Sequence, residues 1–271
     1  METLLSQVTP AAAAVTFAVL LLLEGGWPLR PRVEDRWRRL ARNLALFGTS
    51  AVSVAALNAV FLTALVAHIE NAGVGLLPWV GLRQPLRTAL GVILLDYTLW
   101  HWHRWNHLVP FLWRFHAVHH SDRDLDVATG PRFHYGEMTL SVGYRALQVV
   151  LIGADAATVM VWQALLIPSI LFHHSNLRLP AGLDRALAVV IVTPRMHGIH
   201  HSNVREENNS NWSSLVTLWD RLHGTLRLDV PQEAITIGVP AYDRPEAVTV
   251  GRILFEPFRR QPDYWQGRLS R

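Results

Sequence analysis

Long uncharged runs alternate along this chain with short polar segments rich in arginine, and the length of each run limits what it can do. Residues 10–23, PAAAAVTFAVLLLL, predict the start of a first membrane span, which needs the chain up to Trp27 or Pro28 to reach the ~20 residues that cross a bilayer. A secretory signal peptide is the rival reading, but no basic segment precedes the run and no small-residue cleavage site clearly follows. The stretch Arg30 to Arg42 comes next, with six arginines against Glu34 and Asp35. Leu44 to Ala67 predicts a second span, whose Gly, Ala and Ser residues allow close helix packing. Residues 73–82, GVGLLPWVGL, are too short to cross and read as an interfacial or re-entrant connection. A third span runs from about Leu86 to Trp102.

Residues 138–172 are again mostly apolar and predict a helical hairpin turning near Gly153, Ala154 and Asp155. Its arms are short for full crossings, so a shallow or tilted hairpin is equally open. Residues 184–193 form a short apolar segment that reads as surface-lying. After Thr225 the chain turns polar, with Pro231, Pro240, Pro245 and a basic end. The expected fold is all-α: an integral membrane bundle of about four or five membrane helices under a cytoplasmic histidine-rich helical cap. The expected division is residues 1–85 for the N-terminal helices and connection, 86–227 for a catalytic domain that includes the hairpin, and 228–271 for a small ordered tail.

Composition fits a membrane chain. Half of the residues are hydrophobic and 17% are charged, against about 25% in an average globular protein. Eleven tryptophans suit membrane–water interfaces. The absence of cysteine rules out disulfides, thiolate zinc sites, cysteine-held iron–sulfur clusters and thioether-linked haem. The formal charge of +4, carried almost entirely by arginines flanking apolar runs, reads as membrane adhesion and topology, not nucleic-acid binding. The positive-inside rule puts the Arg30–Arg42 segment in the cytoplasm. Two further crossings and a hairpin then bring every histidine motif to that same face.

Six of the fourteen histidines lie between Asp96 and His120. His103 and His107 form an H-x-x-x-H pair, and His116, His119 and His120 an H-x-x-H-H triplet. His197, His200 and His201 repeat the triplet about eighty residues on. On helices, spacings of three and four share one face, so each box is expected to aim its imidazoles at one point. Asp96 falls within roughly 20° of His103 and His107 on a continuous helix. It is a candidate to orient a ligating imidazole or to ligate directly. His101 points the other way and is left out. Pro110 is expected to end the first helix and start the next, folding the triplet back onto the pair. Thr193 and Pro194 repeat this device before the last box, as N-cap and first helical residue. His174, at the end of the hairpin, and His134 are further candidates. His68 reads as an ordinary side chain, and His173 and His223 as bystanders.

Imidazole donors suit zinc, iron, copper or nickel. Eight or more exceed what one ion can use, so two metals are implied, and a structural zinc would need only four ligands. Redox chemistry on a lipid chain is one reading. A metal-dependent membrane hydrolase is another, although H-E-x-x-H is lacking. A metal transporter is a third, disfavoured because the histidines gather at one side.

The texts HRWNH, LWRFHAVHHS, PRMHGIHHS and LWDRLHGT resemble the fatty acid hydroxylase/sterol desaturase superfamily of integral membrane non-haem di-iron enzymes, and within it the alkylglycerol monooxygenase-like branch. The resemblance covers residues 92–227. It implies His103, His107, His116, His119, His120, His197, His200 and His201 as metal ligands. It adds His174, in an H-S-N element, and His134, in an R-x-H element. It further implies two iron ions (zinc as a substitute), O2 as co-substrate, a lipid substrate and hydroxylation or desaturation of a C–H bond. With no room here for a fused cytochrome b5-like domain, electrons are expected from a separate donor of ferredoxin, cytochrome b5 or reductase type. Asn211, Trp212 and Ser213 stand where the family has N-Y-G, and His223 where it has Phe. A bacterial inner membrane is expected, with the endoplasmic reticulum left open.

Overall fold

The structure, a computed structural model, describes residues 2–266, with side chains from residue 9 onward. The last five residues of the expected tail lie outside the described residues. The described chain is all-helical, with three isolated β-bridges and no strand. The helices of the bundle are α1 (Glu2–Gly26), α2 (Arg36–Leu57), α3 (Thr63–Ala72), the five-residue α4 (Leu76–Val80), α5 (Leu86–Leu108), α6 (Pro110–His120), α7 (Tyr135–Ile152) and α8 (Ala156–His174). A π-helical turn at Asn58–Leu62 joins α2 to α3 without a break. Short helices α9 (Ala181–Leu187), α10 (Pro194–His200), α11 (Arg205–Asn208), α12 (Leu218–Leu222) and α13 (Val250–Phe255) build the cap.

Among the described residues, three stretches are long and apolar enough to cross a membrane: Thr9–Gly26, Arg36–Val80 and Ala156–His174. Large apolar residues stand on their outer faces, with Val15, Leu22, Val52, Val60 and Leu165 all exposed, as suits a lipid-facing surface. Helices α5 and α7 are long enough but too polar to join them, since α5 carries Arg87, Asp96 and Arg104 and α7 carries Glu137 and Arg145. Both pack into the main core, where Leu95, Val149, Trp162 and Leu166 are buried together.

The turns follow local chemistry. The residue before a proline avoids the helical region, and Val109 is extended (φ −93°, ψ 113°), so α5 ends and α6 begins around this one residue. The hairpin turns at Gly153, left-handed at φ 71°, and Asp155 caps α8 by accepting from Thr158 N at 2.8 Å. A side chain on Gly153 would strike Val74 O at 2.5 Å, so the α3–α4 connection closes on this turn at the end of the bundle away from the cap.

At the other end the arginine-rich segment meets the loop after α6. Arg39 pairs with Asp122 at 2.9 Å and with Asp126, and Asp122 also accepts from Arg42, Asn43 and Thr129. Arg132 donates to Val118 O, Asn43 and Ser121. Burial alone would raise the Asp122 carboxyl, but the guanidiniums of Arg39 and Arg132 outweigh it and hold the group below the usual carboxylate range. The segment after residue 228 folds back over α2 and α6, burying Val239, Tyr242, Val248 and Ile253 against Leu46, Trp113 and Val118.

Candidate metal centre

All three histidine boxes converge at the cap end, supplied by the last turns of α5 and α6 and by α10. Thr193 caps α10 through Met196 N, and Pro194 takes its first position. Nine histidines gather in two groups. His103, His107, His116, His120 and His200 form one, and His119, His174, His197 and His201 the other. Within each group one nitrogen per ring lies within 4.8 Å of all the others. Eight of the nine are buried, and His103 is partly so.

The boxes do not each converge on one point. His116 and His120, four apart, share the first group, while His119 turns to the second. His197 and His201, again four apart, share the second group, while His200 turns to the first. Neighbouring residues on a helix differ by about 100° in direction, so a doubled histidine straddles two sites. Each triplet therefore ties both groups together.

Backbone carbonyls fix the rings. Nδ1 of His103 lies 2.8 Å from Trp212 O, of His119 3.2 Å from Arg132 O, of His174 2.8 Å from Ile170 O and of His200 2.8 Å from Ser210 O. A carbonyl only accepts, so these Nδ1 atoms carry the protons and the Nε2 atoms are left with lone pairs. Glu137 Oε1 holds His116 Nδ1 in the same way at 2.8 Å. The Asn208 side-chain amide lies 3.0 Å from His120 Nδ1. Burial, together with neighbouring imidazoles, keeps His119, His120, His197, His200 and His201 well below the ordinary imidazole value, hence neutral. Neutral rings are the ligating form.

The second group passes a direct test of fit. Nε2 of His174 lies 3.0 Å from Nε2 of His119 and 3.0 Å from Nε2 of His197, which is 3.2 Å from Nε2 of His201. His119 and His174 have no proton to share between those atoms, so two lone pairs face each other in a buried space. Ligands ~2.1 Å from a shared ion stand about 3.0 Å apart at right angles and about 3.4 Å apart at tetrahedral angles. The donor set therefore fits a cation. In the first group the Nε2 atoms of His116, His120 and His200 and both ring nitrogens of His107 are buried without a partner. This group too is short of a positive charge.

Two candidates stand elsewhere. Asp96 Oδ2 accepts from Trp219 Nε1 at 2.7 Å and from Val216 N, and touches no histidine. Its angle along α5 is right, but seven residues put it about 10 Å below His103, so the expectation that it orients or supplies a ligand is corrected. His134 caps α7, its Nδ1 accepting from Gly136 N at 2.9 Å while Nε2 meets Leu254 O at 3.1 Å. Both ring nitrogens are thus used in holding the backbone, and His134 joins neither group. His101 and His223 lie in an aromatic cluster with Tyr97 and Trp100. His173 is buried beside His197, with ring centroids 4.2 Å apart.

A cavity of about 180 Å3 opens beside both groups, lined by His103, His116, His119, His174 and His197 and, further along, by Trp102, Ser141, Tyr144, Arg145 and Leu166. Neither Glu137, just before the mostly apolar residues 138–172, nor Arg145, within them, is singled out by sequence spacing. For Arg145 the available signal is a charged residue inside an apolar run.

With this geometry in view, the comparisons with known proteins converge. Residues 88–225 match the fatty acid hydroxylase family. That is just over half of the chain, and the chain belongs to this family. An ornithine lipid hydroxylase of Rhizobium tropici, OlsE, is 32% identical over 154 residues, 56% of this chain and 45% of that protein. A cholesterol 25-hydroxylase-like protein of Danio rerio is 30% identical over 142 residues, 51% of this chain and 54% of its own. Alkylglycerol monooxygenase of Homo sapiens is 24% identical over 215 residues, 79% of this chain and 46% of its own. The chain thus spans about half the length of the curated relatives it matches. No solved structure matches it.

Proposed function

We propose that this protein is a membrane-bound, O2-dependent di-iron oxidoreductase that hydroxylates a lipid, with His103, His107, His116, His120 and His200 holding one iron and His119, His174, His197 and His201 the other. The observation that carries this reading is the pair of facing Nε2 lone pairs on His119 and His174, 3.0 Å apart in a buried all-nitrogen group. Hydroxylation is favoured over desaturation because the relatives named above are hydroxylases or monooxygenases. When bound, the irons supply the reduction of O2 that turns C–H into C–OH, the second oxygen atom leaving as water with two electrons and two protons.

The protein's own residues do the rest. The carbonyls of Trp212, Arg132, Ile170 and Ser210, with Glu137, hold the rings of His103, His119, His174, His200 and His116 in the tautomer that presents Nε2 inward. Such partners raise ligand basicity and fix ring direction. Trp102, Tyr144, Leu166 and Ile170 make the cavity wall largely apolar, which suits a hydrocarbon segment and limits water near the site. Electrons come from a separate donor protein of ferredoxin, cytochrome b5 or reductase type. The histidine end faces the cytoplasm, a reading supported by its shared end with the Arg30–Arg42 segment. Residues 86–227 form the catalytic unit.

Lipid profiling by mass spectrometry of cells with and without the protein tests the reading. A lipid gaining one oxygen in aerobic cells, and only there, is expected. Anaerobic turnover would instead identify a hydrolase, and an unchanged lipid profile on induction in aerobic cells would refute it.

A further inference from the structure

Arg145 lies midway along α7, within the apolar hairpin, and lines the same cavity as the histidine groups. Its guanidinium stacks on Trp162, with Cζ 3.8 Å from the ring centroid, and its Nη1 is enclosed without a hydrogen-bond partner. Among the described residues no carboxylate pairs with it. An ionised side chain with a nitrogen shut away from water is costly and ordinarily has a counter-charge or a functional partner. The stack on Trp162 stabilises the cation from one face only and leaves the donor edge open.

Its neighbours have already used their own polar groups. Trp102 Nε1 donates to Ser141 Oγ at 3.0 Å, and Tyr144 OH donates to Thr98 O at 2.9 Å. Arg145 Nη1 is therefore a charged donor in this part of the wall that has no partner. The guanidinium is held on Trp162 of α8, and the cavity that it lines continues to His103, His116, His119, His174 and His197. The cavity, about 180 Å3, is comparable with an engineered cavity of about 150 Å3 that accepts benzene. It holds a short segment of a lipid, not a sterol nucleus or a long chain.

Resting on the hydroxylase reading above, we propose that Arg145 anchors an anionic group of the substrate, a carboxylate or a phosphate, and that the carbon oxidised lies only a few bonds from that anion. The substrate class is then an acidic amphiphile modified near its charged group, with its remaining chain outside the cavity. Guanidinium suits both oxyanions, because its fork matches either in a bidentate manner.

The test uses the full chain in nanodiscs of neutral phosphatidylcholine, with tritiated decanoate, decyl phosphate and decanol as probes in a scintillation proximity assay. No metal or O2 is needed, so anion binding can fail or succeed independently of the lipid profile that tests the hydroxylase reading. At least one anion is expected to bind about tenfold or more tighter than decanol, the scale of one charge-assisted hydrogen bond. Whichever of the two anions binds tighter identifies the source. Arg145→Gln should abolish the preference and Arg145→Lys should keep most of it, with thermal unfolding reporting that each variant is folded. If Arg145→Gln does not fold, the preference in the unsubstituted protein and in Arg145→Lys decides. Equal binding of decanol and both anions overturns the proposal, as does an anion preference that survives in folded Arg145→Gln. Tandem mass spectrometry of the product supplies the second reading: an oxygen near the acidic group is expected, and one at the far end of the chain overturns the placement.

Discussion

Nε2 of His119 and Nε2 of His174 face each other across 3.0 Å although both rings have committed their protons to backbone carbonyls. Two acceptors in a buried space repel unless a cation lies between them, and the low local dielectric makes an unanswered contact of this kind expensive. His119 comes from the end of α6 and His174 from the end of α8, 55 positions apart. The fold thus brings together from distant segments an arrangement that makes sense with a metal ion bound.

Among the described residues, Glu137 is the one carboxylate bonded to a histidine of either group, through His116 Nδ1. Glu137→Gln keeps an accepting oxygen and should retain most of the bound metal. Glu137→Ala leaves the ring free to turn and should weaken metal affinity by about 10–100-fold. Metal-to-protein ratios measured across a chelator titration distinguish the two. Equal loss in both variants would point to the charge and not to ring orientation.

Asp122 secures the loop below His119 and His120 by receiving Arg39, Arg42, Asn43 and Thr129. Asp122→Asn breaks a buried ion pair on one side and should cost about 3–5 kcal/mol of stability, read from thermal or denaturant unfolding. The pH dependence follows from its lowered folded-state value. The stabilisation is fully present above the unfolded carboxylate pKa of ~3.9 and is lost as pH falls from there toward the folded value. The difference between the two proteins should therefore hold from pH 8 to pH 5 and narrow only below about pH 4. A difference that closes already at pH 6 would assign the effect to another group.

Asp96→Ala removes the acceptor for Trp219 and Val216 and should cost about 1–3 kcal/mol with metal content unchanged. Metal analysis beside unfolding measurements checks this. Loss of a bound ion would restore the role that its position on the helical wheel first suggested.

His134→Ala removes the side-chain cap on α7 and should destabilise the protein by about 1 kcal/mol while leaving the same metal content. A drop in bound metal would show that His134 reaches a metal through a rearrangement of the loop before α7.

The features legible in the sequence were those set by local spacing. Pro110 and Val109 dictate the reversal between α5 and α6, Gly153 and Asp155 dictate the hairpin turn, and the boxes announce their shared end. What spacing cannot carry is how a box is shared. The doubled histidines at 119–120 and 200–201 divide between two groups because adjacent residues point about 100° apart, and only the packing of α6 on α5 and of α10 on α8 decides which goes where. Asp96 shows the converse error, since a shared direction along α5 says nothing of a separation of two helical turns. Glu137 and Arg145 were hidden because their partners, His116 and Trp162, lie 21 and 17 positions away and no local pattern joins them.

Metal content of the purified protein, measured by plasma mass spectrometry on wild type and on one variant from each group, tests the central claim most directly. Two ions per chain are expected in the wild type, predominantly iron. His107→Ala should lower occupancy of the five-histidine group and His197→Ala that of the four-histidine group, each variant tending toward one ion per chain. A wild-type protein that binds no metal, or a single ion lost equally in both variants, would contradict the two-group centre.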